Sequence, residues 1–499
     1  MKQPSVKSNF LMNAILALTG ILFPLITFPY VSRVLEPPGM GKVSLALSVM
    51  AYFTMFAQLG IPTYGVRECA RVRDDREQLT RTVHELLGIS LGMDVLAYAL
   101  LALALVTVPR LGAERPLYLV VSCTVLLNSL GMEWLYKALE KYTYITLRSV
   151  FFKLLALAAT FLLIRSQEDY VLYGAISVFA ASASNLLNFI HAGKYISLRR
   201  PAHCDWRRHL KPVAIFFAMS CAATIYTNLD ALMLGLMTTD ADVGYYNSAV
   251  KVKGILVTLV TSLGAVLLPR SSYYVEQGRM EDFRHMTRKA LHFVLLAASA
   301  LGLYFLLFAG DSILLLSGEK YRESIVPMQI IMPTVLLIGL TNILGIQVLV
   351  PRGREKTVLW SEIAGAVVDL ILNALLIPVW RSAGAAIGTL AAEAVVLAVQ
   401  FGALRQELRG MVSGRFCLRV LTGLMIATAA SLWLLALPMN AFPRLVCSAL
   451  CFFGAYGLFL LWRRDEMVLE LVRLGRRLLR SGKRARQSVS CGENRAGKH

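Results

Sequence analysis

Three charges interrupt the apolar stretch NLDALMLGLMTTDADVGYYNSAVKVKG, Asn228 to Gly254: Asp230, Lys251 and Lys253. A charge at mid-membrane costs ~2.5–3.5 kcal/mol even on a lenient insertion scale, so intramembrane ions are rare and tend to serve a function. Asp230 lies about 8 residues before the loop MTTDAD and Lys251 about 9 after it, which sets both ~12–14 Å deep in an antiparallel hairpin. Asn247 and Lys251, four apart, share a helix face, whereas Lys251 and Lys253, two apart, diverge by ~200°. Two compatible readings follow. Asp230 and Lys251 form an ion pair that offsets the cost of burial, or the charges line a wet lumen.

Other residues pose the same choice. Arg33 ends an apolar run through PLITFPY, where Pro24 and Pro29 each remove a backbone donor and favour a bent, gating helix. Its guanidinium either faces a cavity or snorkels to headgroups. Lys153, some nine residues into a later run, is a second cation with these alternatives. Asp369, Glu362 and Glu393 are carboxylates in two late apolar runs. Intramembrane carboxylates relay protons or bind Na⁺, which makes Asp369 a coupling candidate, while Glu362 is near enough to a helix end to be solvated. GAAIG, Gly384 to Gly388, suits close helix packing.

Long apolar helices must hold these groups. The chain has 499 residues, 57% hydrophobic and 16% charged, with mean hydropathy +0.60. A soluble domain cannot bury that much apolar surface, so the composition implies an all-α polytopic membrane protein. Runs of about 20 residues suffice to span the bilayer, and about fourteen such runs lie between Phe10 and Trp462. Of the 51 Lys and Arg, 40 fall in alternate loops and tails, which predicts two cytoplasmic termini. The net charge of +20 is then mainly topology and argues against nucleic acid as a partner.

Several chemistries are excluded. The 8 cysteines show no paired spacing, and the seven histidines no HExxH pattern, so neither a disulfide framework nor a metal or other cofactor is expected. GENRAGKH, Gly492 to His499, lacks the Ser or Thr of a phosphate-cradling loop. Connections this short cannot fold as extramembrane domains, which argues against an enzyme. The first apolar run is too long for a signal-peptide core and is expected to stay in the mature chain. The tail VLELVRLGRRLLRSGKRAR places Leu471, Leu474 and Leu478 opposite a basic face, an interfacial helix on anionic lipid, with disorder expected from Gln487 on.

The chain also repeats itself. RVLEPPGMGKVSLALSV, Arg33 to Val49, aligns with LGLMTTDADVGYYNSAVKV, Leu234 to Val252, setting Gly41 over Gly244. Leu59 and Gly60 then fall over Leu263 and Gly264, NSLG at Asn128 to Gly131 over NILG at Asn342 to Gly345, and Glu140 and Lys141 over Glu355 and Lys356. The order suggests a duplication: a six-helix bundle over 1–200, a pseudo-symmetric second over 201–410, two further spans over 411–463 and a basic tail over 464–499. Transporters built this way hold substrate between the halves and alternate access by rocking one against the other.

FPLITFPYVSRVLEPPGMGKVSLALSVMAYFTMFAQLGIPTYGVRECARVR, EWLYKALEKYTYITLRS, NLDALMLGLMTTDADVGYYNSAVKV and PRGREKTVLWSEIAGAVVDLILNALLIPVWRSAGAAIGTLAAE resemble the Wzx-like flippases of the MOP exporter superfamily. The resemblance covers most of Phe10 to Leu404 and implies a MOP/MATE-like fold in the bacterial inner (cytoplasmic) membrane. It further implies transport of undecaprenyl-diphosphate-linked oligosaccharide units for O-antigen, capsule or exopolysaccharide, with polymerase and glycosyltransferase partners. The family's cationic lumen favours a cavity role for Arg33, Lys153, Lys251 and Lys253, with Asn247 beside Lys251. Asp230 and Asp369 remain for ion pairing or for coupling to H⁺ or Na⁺. Asp369, where the family more often has Asn, and the turn VWRS at Val379 to Ser382 depart from its pattern. The rival reading is a cation-coupled multidrug exporter of the same fold, whose cavity would be dominated by carboxylates.

Overall fold

Every regular element of the described residues is helical, with no strand among them. The computed structural model describes residues 6–197, 199, 204–465, 467 and 469. The basic interfacial helix expected over Leu471, Leu474 and Leu478, and the disordered end expected from Gln487, lie outside them.

The helices follow in chain order as α1 (Val6–Gln58), α2 (Ile61–Arg71), α3 (Arg76–Thr107), α4 (Pro109–Gly112), α5 (Arg115–Gly131), α6 (Glu133–Ala138), α7 (Tyr142–Leu163), α8 (Tyr170–Val178) and α9 (Ser184–Ala192). Then come α10 (Arg207–Met237), α11 (Asp240–Glu276), α12 (Met280–Leu307), α13 (Ala309–Leu316), α14 (Ile325–Ile331), α15 (Thr334–Thr341), α16 (Glu355–Ala403), α17 (Gly414–Leu432) and α18 (Ala441–Trp462). Among the described residues, eleven helices are long and apolar enough to cross a membrane, against an expectation of about fourteen. The stretch through α1 and α2 and the whole of α16 count once each in that figure.

Both of those long helices are bent. Glu36, at φ 59° and ψ 175°, breaks α1 into two arms. Pro37 follows it, and the proline ring denies its predecessor the helical region. The break expected from Pro24 and Pro29 is not needed: the helix continues through both. Arg381, at φ 48°, divides α16 in the same way.

Two compact units make up the chain, one from Met1–Ile255, Ser312–Thr334 and Glu355–Val399, the other from Leu256–Asp311, Val335–Arg354 and Gln400–His499. In the first, the second arm of α1 meets the start of α11 at backbone distance. A Cβ on Gly41 would lie 1.7 Å from the Asp240 carbonyl oxygen, and one on Gly244 would lie 2.2 Å from that of Pro37. Arg110 bridges the same end, donating to Asp240 at 2.8 Å, and Lys42 pairs with Glu114 at 2.6 Å.

A different cluster ties α2, α3 and α10 together. Glu85 is buried on α3 and accepts from Arg81 Nε at 3.0 Å, Arg208 Nη2 at 2.6 Å and the Asp205 amide at 2.6 Å. His209 Nε2 sits 2.9 Å from the same carboxylate, and its Nδ1 is 2.8 Å from the Tyr64 hydroxyl. Gly60, at φ +74°, turns the chain from α1 into α2, and Phe216 leaves no room there for a Cβ.

The second unit packs α12 against α17 and α18 through Tyr304, Phe308, Val420, Phe452 and Tyr456. The Tyr304 hydroxyl donates to the Leu445 carbonyl at 2.8 Å, and Arg444 pairs with the buried Asp311 at 2.9 Å.

Candidate functional site: a cationic cavity and a buried oxygen cluster

Lys153 on α7 and Lys251 on α11 open into one cavity of about 290 Å³. The first arm of α1 forms another wall with Thr19, Gly20, Pro24 and Thr27, and Tyr173 and Ser177 of α8 supply further hydroxyls. The lining contains two ammonium groups and no carboxylate. Gly20 faces Lys153 across this wall: a Cβ there would lie 3.9 Å from Lys153 Nζ, an ordinary contact distance. Asn247, one turn before Lys251, donates instead to Ser44 Oγ at 2.6 Å. Among the described residues no hydrogen bond or ion pair holds the Lys251 ammonium, and none joins it to Asp230.

A second cavity of about 360 Å³ lies along the second arm of α1 and shares Leu47 with the first. Its polar lining is neutral: Thr54, Gln58, Thr124, Asn128, Ser220 and Thr224.

Asp230 belongs to a different constellation. Its Oδ1 accepts from Asn373 Nδ2 at 2.7 Å, and its Oδ2 from Thr389 Oγ1 at 2.8 Å and from the Tyr246 hydroxyl. These partners stand on α16 and α11, so one carboxylate of α10 joins both arms of α16. Asp369 interacts with Asp230 at the same place. Gly388 faces them without a side chain: a Cβ would meet Asn373 Oδ1 at 2.3 Å and Asp369 Oδ1 at 2.9 Å. Neither of these two buried oxygens has a hydrogen-bond donor. The cluster therefore has more acceptors than donors, which is the chemistry that takes up a proton or a hard cation. No group of three His, Cys, Asp or Glu placed to hold a metal occurs among the described residues, so any cation here would rest on a mixed set of carboxylate, amide and hydroxyl oxygens.

Lys253 faces away from Lys251. The charges acting on it are those of Glu393, Asp230 and Asp369. Glu393 is buried and interacts with Tyr226, while Tyr52 of α1 is within electrostatic range of Asp230 and Asp369. Arg33 is exposed and caps a helix end, donating to the carbonyls of Leu314 and Leu315 and to that of Pro29. The sequence reading missed Asn373, Thr389 and Tyr246. For Asn373 and Thr389 the signal was there in two four-residue steps, Asp369 to Asn373 and Thr389 to Glu393, each of which places two polar groups on one helix face.

Known proteins share this architecture. The family model described as "Polysaccharide biosynthesis protein" matches residues 6–275, and the MatE model matches residues 215–375. A protein of Escherichia coli K12 named "Putative O-antigen transporter" is 25% identical over 414 residues, covering 81% of this chain and 97% of its own length. One of the same name from Shigella dysenteriae is 23% identical over 406 residues, 80% of this chain and 100% of its own. Among solved structures, the lipid II flippase MurJ in an inward closed conformation superposes with a TM-score of 0.73 at 15% identity, over 92% of this chain and 100% of that one. An inward-facing MATE multidrug transporter gives 0.63 at 15% identity, over 78% and 94%. The two neighbours establish the fold, and the family model spans more than half of the sequence: the chain belongs to the polysaccharide biosynthesis protein family, among the Wzx-like members of the MOP superfamily.

Proposed function

We propose that this protein flips undecaprenyl-diphosphate-linked oligosaccharide units across the bacterial cytoplasmic membrane, from its inner to its outer face, without covalent chemistry. The observation that carries this reading is the pairing of Lys153 with Lys251 in one cavity that has no carboxylate in its lining. Two ammonium groups at that depth are expensive alone and attract a diphosphate. The neutral hydroxyls and amides of the adjoining cavity suit sugars, which need hydrogen bonds and no counter-charge. The polyprenyl tail stays in lipid. Both termini are assigned to the cytoplasm, so the Gly41 and Gly244 contact lies at the outer end and the Glu85 cluster at the inner end.

The oxygen cluster around Asp230, Asp369, Asn373 and Thr389 is assigned to the coupling ion, H⁺ or Na⁺. Lys253, beside those carboxylates, is an internal cation whose attraction the ion would replace. Multidrug export is disfavoured because an organic cation would meet Lys153 and Lys251. Glycosyltransferases and a polymerase are the expected suppliers and consumers of the cargo.

The test is an in-cell assay of lipid-linked oligosaccharide. Lys153→Ala with Lys251→Ala should leave the glycolipid on the cytoplasmic face while the protein accumulates normally, and the corresponding Arg variants should retain export. Normal surface polymer in the double alanine strain at native expression would remove this cavity from the transport path.

A further inference from the structure

The second compact unit contains a pocket of about 270 Å³ that belongs to neither cavity described above. Three separate segments build it: Arg288, Lys289 and His292 on α12, Ser413, Phe416 and Arg419 at the start of α17, and Arg464, Asp465 and Met467 after α18. His292 and Phe416 stack at 4.0 Å to form one wall. Four side chains of the lining are Arg or Lys, and Asp465 is its acid. That acid is already engaged, accepting from Arg419 Nη1 at 3.1 Å and from the Met467 amide at 3.1 Å. Among the described residues no carboxylate pairs with Arg288 or Arg464.

Two backbone features point the same way. Ser413 caps α17, so the amino end of a 19-residue helix opens on the pocket, where its unsatisfied amides favour an anion. Arg464 lies at φ +52°, in the left-handed region. It is the second residue past α18, whose end is closed by the Arg464 amide to the Leu461 carbonyl and the Asp465 amide to that of Leu460, each at 3.0 Å. Glycine is the usual occupant of this position, because a Cβ is strained there. Arg463, one residue earlier, would already serve the helix dipole, so the strained arginine needs another purpose.

We propose that this pocket binds the phosphate headgroup of an anionic phospholipid. The lipid, and not a soluble phosphate, is favoured by the surface beside the pocket. Trp462 is 75% exposed, Leu458 70% and Leu418 62%, which offers acyl chains an apolar bed.

The full-length chain in neutral detergent, titrated with short-chain phosphatidylglycerol and separately with phosphatidylcholine, tests this assignment. Wild type should bind the anionic lipid about tenfold more tightly. Arg464→Gly should erase that preference while melting at or above the wild-type temperature, because glycine relieves the backbone. Arg288→Gln, on a helix surface, should erase it without a change in melting. Equal binding of the two lipids, or a preference that survives both substitutions, would overturn the site. Saturable stabilisation by inorganic phosphate without any preference for phosphatidylglycerol would reassign the pocket to a soluble anion and overturn the lipid.

Discussion

The side-chain amide of Asn247 donates to the hydroxyl of Ser44 at 2.6 Å, and the two residues are the same position of the internal repeat, 203 apart. Three residues earlier, Gly41 and Gly244 stand in the same relation and touch each other's neighbouring backbone. The two aligned segments thus meet at one end of the first unit. Alanine at either glycine would force the two arms apart, since the nearest atoms are backbone carbonyls that cannot rotate away. Gly41→Ala and Gly244→Ala should each cost about 1–3 kcal/mol. A cysteine placed at Ser44 should then react faster with a water-soluble thiol reagent, and an unchanged rate in both variants would show that the contact does not seal that end.

Asp230 and Lys251 offer a double-mutant cycle. Asp230 is satisfied by Asn373, Thr389 and Tyr246, while Lys251 lines the cavity. Asp230→Asn and Lys251→Met should therefore be additive in thermal stability, with an interaction energy below ~0.5 kcal/mol. Recovery of the double variant well beyond the sum would reveal an ion pair.

Gly388→Ala tests the oxygen cluster without removing any of its oxygens. The added methyl would occupy the space between Asn373 Oδ1 and Asp369 Oδ1. Wild-type stability should rise with Na⁺ or with falling pH, by ~2.7 kcal/mol at a hundredfold excess over the dissociation constant. The Gly388→Ala melting curve should be flat in both titrations. A response equal to wild type would mean that no ion enters there.

Glu85 holds α3 to α10 through Arg208 and His209, and His209 reaches α2 through Tyr64. Glu85→Ala leaves a buried imidazole and an arginine without their acceptor, and should lower stability by about 3 kcal/mol. His209→Gln with Glu85→Gln should restore part of the loss, measured by thermal melting in detergent.

Reporter fusions check the assigned sidedness. Fusions at Leu404 and Lys483 should report the cytoplasm, and one after Asp240 the outside. Reversal at these points would invert the assignment of both ends.

The helical class was legible because hydropathy records which segments can face lipid, and the alignment of Gly41 with Gly244 picked out two glycines that are fixed by backbone approach. The individual site assignments were less so. Depth along a hairpin put Asp230 and Lys251 at one level, but only the azimuth of each helix decides what a side chain meets. Asp230 points toward α16, some 140 residues away in sequence, and no local pattern carries that information. The two-residue step did separate Lys251 from Lys253, since helical geometry alone turns them apart. A cavity role for Arg33 came from the family's cationic lumen, and the backbone carbonyls of Leu314 and Leu315 that it meets are not displayed by a sequence.

Leu47 belongs to the linings of both cavities, so one aliphatic side chain borders a charged chamber and a neutral one. On the proposed flippase reading, a slender cargo would occupy the two in succession, headgroup in one and sugars in the other, without either chamber having to contain the whole of it. Tolerance would then depend on the length of the cargo more than on its bulk at any point. A repeat unit one sugar longer would need a deeper reach into the neutral chamber, and a branched one would first be stopped at Leu47.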